Sequence, residues 1–337
     1  MSLIPKTPIP EGAIRYNTDS NKMEVWIGNK WMIVATSSPN LDGGARGLFM
    51  GGDPGPSPLT EGRIIDYVTI PTNGNAIDFG DMTEDRKYCS SCSSRTRGVV
   101  AGGENPSGNH DEIEFVTIST TGNVSDFGNL LATRTYVSAC GNQTRGVIAG
   151  GKSPGNDNVI QFITIASTGD AVDFGDLTQN NTNQGGTASP TRGIFAGGAD
   201  WPNMKEDIDF ITIASTGNAQ DFGDLSSQAQ AYNNGASSST RAVYSSGSQS
   251  PYTQMEYITF ATRGDSVDFG NSTVAIGWKT GTSDTVRGVF GGGQSPQASN
   301  TIEYITIATQ GDATNFGDLT TLFHRSGGGC SNGHGGL

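Results

Sequence analysis

Residues Thr144 to Asp176 read TRGVIAGG, a short polar loop, and then NVIQFITIASTGDAVDFGD. This pattern occurs six times along the chain. The D-F-G phenylalanines, with N-F-G in the last copy, are Phe79, Phe127, Phe174, Phe222, Phe269 and Phe316, separated by 48, 47, 48, 47 and 47 residues. The arginines that open the apolar run are Arg46, Arg97, Arg145, Arg192, Arg241 and Arg287, spaced 51, 48, 47, 49 and 46. A fixed period near fifty residues identifies a repeat architecture and outranks any single motif.

Each copy reads as four short strands. In the third copy, Arg134–Asn142 is a strand of small residues and Arg145–Gly151 is a second, ending in a glycine pair. Asn158–Ala166 is a third, apolar on both faces. Thr168-Gly169-Asp170 has hairpin chemistry, and Ala171–Leu177 is the fourth strand. Four strands joined by short turns make one antiparallel sheet, and six such sheets predict an all-β, six-bladed β-propeller.

The phase of the repeat predicts closure. The first copy starts at Arg46, on its second strand, and Gly327–Asn332 supplies the missing small-residue strand beside residues 46–81. Closure would remove open sheet edges. The small-residue strand is expected at the axis, where only Gly, Ala, Ser, Cys and Asn fit.

Composition agrees with this reading. The 337 residues include 49 glycines and 14 prolines, and only 16% are charged, which is a turn-rich β composition. The net charge of −13 serves solubility and disfavours a nucleic-acid partner. The N-terminal MSLIPKTPIPEG lacks the apolar core of a secretion signal. No apolar run is long enough to cross a membrane. Cys89 and Cys92 have redox spacing, but they lie in a strand-like segment and read as buried small thiols.

Residues 1–40 stand apart. Ile14 and Tyr16, Lys22–Trp26 and Trp31–Val34 read as a three-stranded meander with turns at Thr18–Asn21 and Gly28-Asn29. A unit this small needs a partner surface. Ala35–Gly44 is a linker by composition, and residues 41–337 form the repeat domain.

Two resemblances follow from these residues. The phrase GAIRYNTDSNKMEVWIGNKW, residues 12–31, resembles the short hairpin module of bacteriophage tail-fibre and baseplate-associated proteins, which implies attachment to other virion proteins and a homo-trimer. The glycine doublets Gly51-Gly52, Gly102-Gly103, Gly150-Gly151, Gly197-Gly198 and Gly292-Gly293, each followed by an aromatic strand, resemble the kelch repeat. The fifth copy departs with Ser246-Gly247, and the D-F-G phenylalanines stand where kelch repeats carry tryptophan. TRGVFAGG and DFGDL phrasing is also similar to repeats in structural proteins of marine phages, cyanophages especially. Together the resemblances imply a non-enzymatic virion protein, associated with a tail or fibre, whose propeller binds a protein or a host surface. The alternatives are a lectin-like head reading host glycans, a glycan-acting enzyme, a capsid decoration protein and a cellular kelch-like adaptor.

Candidate chemistry is sparse. No nucleophile, base and acid recur together, so no catalytic residue, metal ligand or cofactor is assigned. Kelch-fold copper oxidases need tyrosine, cysteine and two histidines on one face, whereas His110, His324 and His334 fall at different phases. Asp78, Asp126, Asp173, Asp221 and Asp268, with Asn315, match the arginines in number and are expected to pair with them and fix register. The loops after the glycine pairs vary while their flanks repeat. They are therefore the candidate recognition surface, with Trp201, Tyr252 and His110 as the binding residues on that rim.

Overall fold

The computed structural model describes residues 9–17, 22–33, 45–52, 62–200, 203–226, 235–245, 247, 250–294, 296–321 and 327–337. The chain divides into two units, Met1–Leu41 and Asp42–Leu337. Among its described residues the first holds three antiparallel strands, β1 (Ile14–Asn17), β2 (Lys22–Ile27) and β3 (Lys30–Ile33), in that order.

Among the described residues of the second unit, every extended four-stranded sheet has the same antiparallel plan. The first sheet runs Gly328–Ser331, Arg46–Met50, Ile64–Thr69, Ile77–Asp81, and the second Ser90–Ser93, Arg97–Ala101, Glu112–Thr117, Ser125–Asn129. The third runs Ser138–Gly141, Arg145–Ala149, Val159–Thr164, Val172–Asp176, and the fourth Gly185–Ala188, Arg192–Ala196, Asp207–Thr212, Gln220–Asp224. The fifth runs Gly235–Ser237, Arg241–Tyr244, Gln254–Thr259, Val267–Asn271, and the sixth Thr280–Ser283, Arg287–Gly291, Thr301–Thr306, Thr314–Asp318. The all-β, propeller-like class expected from the repeat is the observed one. In the first sheet the C-terminal strand pairs Cys330 with Leu48 and Ser331 with Gly47.

Small residues let the first strands of neighbouring sheets pack together. A Cβ on Gly193 would come 2.7 Å from Cys140 Sγ, so the glycine after the repeat arginine is what admits the next sheet. Apolar clusters then fill each gap between sheets. Ile148, Ile163 and Phe127 pack together in one, and Val147, Phe174, Phe195 and Ile211 in the next.

The third strand is not apolar throughout. Asp66, Glu114, Gln161, Asp209, Glu256 and Glu303 sit at its third position and are buried. Each accepts hydrogen bonds from the turn that ends the preceding sheet. Thr178 N–H and Oγ1 donate to Asp209 at 3.1 and 2.7 Å, and Thr320 N–H and Oγ1 donate to Asp66 at 2.9 and 2.7 Å. Leu131 N–H donates to Gln161 at 2.8 Å. Glu114 also meets Arg86, and Glu303 meets Lys279 at 2.5 Å. Burial pushes the Asp209 carboxyl up and the Lys279 ammonium down.

The expected Arg–Asp pairing is corrected. Arg145 donates from Nη1 to Ile213 O at 2.9 Å, in the next sheet, and its guanidinium lies 4.5 Å from the Phe162 ring centroid. Arg46, Arg97 and Arg241 reach Ile118, Ile165 and Ile307 O at 3.1, 3.0 and 3.1 Å, and Arg192 reaches Phe260 O. Arg287 of the sixth sheet reaches Ile70 O beside the first, at 3.2 Å. Asp78, Asp126, Asp173, Asp221 and Asp268 are exposed. A carbonyl held at fixed depth between sheets suits a fork of N–H donors, and the aspartates lose no hydration by staying in water.

Candidate functional site

Four described residues that are not glycine adopt left-handed backbone at one repeat position. They are Tyr88 (φ 56°), Tyr136 (φ 60°), Asn183 (φ 59°) and Trp278 (φ 61°). Each precedes the first strand of its sheet. Bulky residues rarely take this conformation, and backbone strain of this kind clusters at functional sites. The strain is held by neighbours, since Tyr136 N–H donates to Tyr88 O at 2.9 Å and Asn183 N–H to Tyr136 O at 3.0 Å. Tyr88 and Tyr136 stack with centroids 4.1 Å apart and planes at 27°. Lys87 Nζ lies 5.2 Å from the Tyr88 centroid. All four side chains are half-buried. Tyr232 and Ser326, at the same position of the other copies, lie outside the described residues.

The variable loops open beside these residues. Lys87 bridges Glu104, Thr135 bridges Lys152 and Thr182 bridges Ala199, each tying the start of a loop to the residue before the left-handed one. Gln294 N–H donates to Gly277 O at 3.0 Å in the same way. The aromatic positions and the loops therefore share one face, at the start of the first strands.

The loop residues singled out in the sequence fare differently. Tyr252 is half-buried rather than exposed, and its ring would lie 3.2 Å from a Cβ on Gly277, the neighbour of Trp278. His110 is held, with Nδ1 2.9 Å from Glu112 Oε2 and Nε2 3.9 Å from Glu84 Oε2. Its side chain is 11% exposed, too little for a contact residue. Trp201 lies outside the described residues. Sequence reasoning missed Tyr88, Tyr136 and Trp278. The available signal was an aromatic two residues before the small-residue strands of the second, third and sixth sheets.

The first strands line a narrow cavity of about 50 Å³, its walls made of small side chains including Ser93, Cys140, Thr187, Ser237, Thr282 and Cys330. His334 also lines it. The His334 ring donates from Nε2 to Ser93 O at 3.0 Å and accepts Gly336 N–H at Nδ1, 3.1 Å away. Gly335 N–H donates to Ser237 O at 2.9 Å. Burial pulls the His334 pKa down to about 4. Ser93 Oγ donates to Ser331 O at 2.7 Å, Ser331 Oγ to Ser283 O, and Ser283 Oγ to Ser237 O at 3.0 Å, linking four sheets.

The four cysteines are free and buried, and burial pushes the Cys140 and Cys330 thiols up to about 12. Thiols held protonated make poor nucleophiles. Among the described residues, no group of three or more His, Cys, Asp or Glu is placed to hold a metal ion, and no helix is long and apolar enough to cross a membrane. No family model matches this chain, and no curated protein matches it.

Proposed function

We propose that the chain is a non-enzymatic interaction protein: a six-bladed, kelch-like propeller that binds through its loop-bearing face and is mounted through residues 1–40. The observation that carries the reading is the convergence of Tyr88, Tyr136 and Trp278, on strained backbone, with the loops of that face. Half-exposed aromatics offer contact area at low entropic cost and an edge for hydrogen bonding. Closure of the ring is supported by inter-sheet bonds that run from each sheet to the next and from the sixth back to the first, as in Arg287 to Ile70 and Thr320 to Asp66.

Placement in a virion, on a tail or fibre of a marine tailed phage, rests on the resemblance of residues 12–31 and of phrases such as TRGIFAGG (191–198) and DFGDL (173–177). The ligand of the loop face is then a virion protein or a component of the host surface, such as a glycan that stacks on an aromatic ring.

Quantitative mass spectrometry of purified particles tests this placement. A few copies per particle would support a tail or fibre position, hundreds would indicate a capsid decoration protein, and absence would remove the virion reading. Release of reducing sugar from host polysaccharide by the pure protein would replace binding with turnover.

A further inference from the structure

Pairing register divides the side chains of β1–β3 between two faces. Val25 lies opposite both Ile14 and Met32, and Tyr16 lies opposite Met23. Opposed residues of antiparallel strands point the same way, and residues two apart share a face. Ile14, Tyr16, Met23, Val25, Ile27 and Met32 therefore lie on one side. Five of them are well exposed: Ile14 65%, Tyr16 56%, Ile27 49%, Met23 43% and Met32 43%. Lys30, opposite Ile27, is the one charged residue that the register places there.

The opposite face is already satisfied. Arg15 pairs with Glu24 at 2.8 Å, and Asn17 donates to Glu24 at 3.0 Å. The Arg15 guanidinium lies 4.2 Å from the Trp31 centroid, and Trp26 meets Trp31 edge-to-face at 5.3 Å. Hydrogen bonds from Asn17 and Arg15 hold the Glu24 carboxyl below its ordinary range. The sheet thus spends its polar groups on one side and leaves the other to water.

We infer that this apolar face is a self-association surface, packing against the same face of a second copy of the chain. A face with one peripheral charge offers nothing to steer a charged partner. Its shape is that of half a β-sandwich, in which two apolar sheet faces meet about 10 Å apart. The exposed patch is on the order of several hundred Å², the size of the largest and often functional apolar patch on a monomer. Two copies together approach the roughly 1,000 Å² at which specific interfaces begin. A symmetric contact of one patch with itself closes on two copies and leaves no further apolar face. The inference is independent of what the loop face binds.

The test is sedimentation equilibrium of the full chain over a wide concentration range, beside Ile14→Lys/Met32→Lys and a control, Ile77→Lys, at an exposed position of the first sheet. The expected result is a dimer for the wild type and the control, and a monomer for the double variant with the exciton signal of Trp26 and Trp31 retained. A monomeric wild type would overturn the inference, and so would the homo-trimer that the resemblance of residues 12–31 implies, since a face paired with itself closes on two copies. So would an oligomer that persists in the double variant, or a monomer reached only by losing the exciton signal, since the face would then belong to the fold.

Discussion

Gly217 N–H donates to Phe174 O at 2.7 Å, joining the turn of the fourth sheet to the last strand of the third. Gly122 and Phe79, Gly169 and Phe127, Gly264 and Phe222, and Gly311 and Phe269 repeat the bond, and Gly74 of the first sheet makes it to Phe316 of the sixth at 2.9 Å. The next residue adds a second link, because Asn218 Oδ1 accepts Asp176 N–H at 3.2 Å. The T-G-D/N turn, which joins the paired third and fourth strands of its own sheet, and the D-F-G phrase of the preceding sheet are thus two halves of one inter-sheet joint.

That joint fixes the cost of filling Gly175. Its φ is 144°, and an added Cβ would sit 2.6 Å from Gly217 O. Gly175→Ala is expected to destabilise by about 2 kcal/mol or more, from backbone strain and displacement of the neighbouring turn. Gly155, with nothing within 4 Å of its added Cβ, is the control, and Gly155→Ala should stay within about 0.5 kcal/mol of wild type. Denaturant titration of both variants checks this.

Arg145 anchors the next sheet through Ile213 O while covering Phe162. Arg145→Ala strands a half-buried carbonyl and uncovers an aromatic face, so a loss of roughly 1–3 kcal/mol is expected. Asp173→Ala, at an exposed position, should change stability by no more than about 0.5 kcal/mol. Equal losses for the two substitutions would restore the Arg–Asp pair. Thermal melts of the two variants separate the cases.

His334 gives the fold a pH dependence. Its neutral ring donates at Nε2 and accepts at Nδ1, so a proton on Nδ1 would face Gly336 N–H. The unfolded chain takes up that proton near pH 6.5, whereas the folded chain does so near pH 4. Its contribution to stability is therefore intact above pH 6.5 and falls as pH drops towards 4. The raised pKa of Asp209 acts in the opposite direction. The difference between wild type and His334→Gln isolates the histidine. Melting temperature measured from pH 7 to pH 4 should fall more steeply for wild type than for the variant.

Much of this architecture was legible because the same residue types recur at the same phase. The glycine pairs, the D-F-G triplets and the small-residue strands marked the sheets, and Gly327–Asn332 was readable as the strand beside Arg46. The partners were not legible. Each inter-sheet bond joins residues from different copies, such as Phe174 and Gly217, and a periodic sequence does not say which copy a side chain reaches. The buried acids escaped because one position holds Asp66, Glu114 and Gln161 in successive copies, so no single letter repeats. Tyr88, Tyr136 and Trp278 escaped because an aromatic before a run of small residues reads as strand. Only the backbone shows it turned left-handed.

The central proposal is that the aromatic positions of the loop face form a ligand-recognition surface. On the proposed reading of a host-surface ligand, the most direct measurement is saturable binding of the labelled chain to host cells, beside Tyr88→Ala and Trp278→Ala variants that keep the wild-type melting temperature. The account predicts at least a tenfold loss of affinity, the order of 1.4 kcal/mol expected for truncating one anchoring aromatic. Wild-type affinity in both folded variants would contradict it.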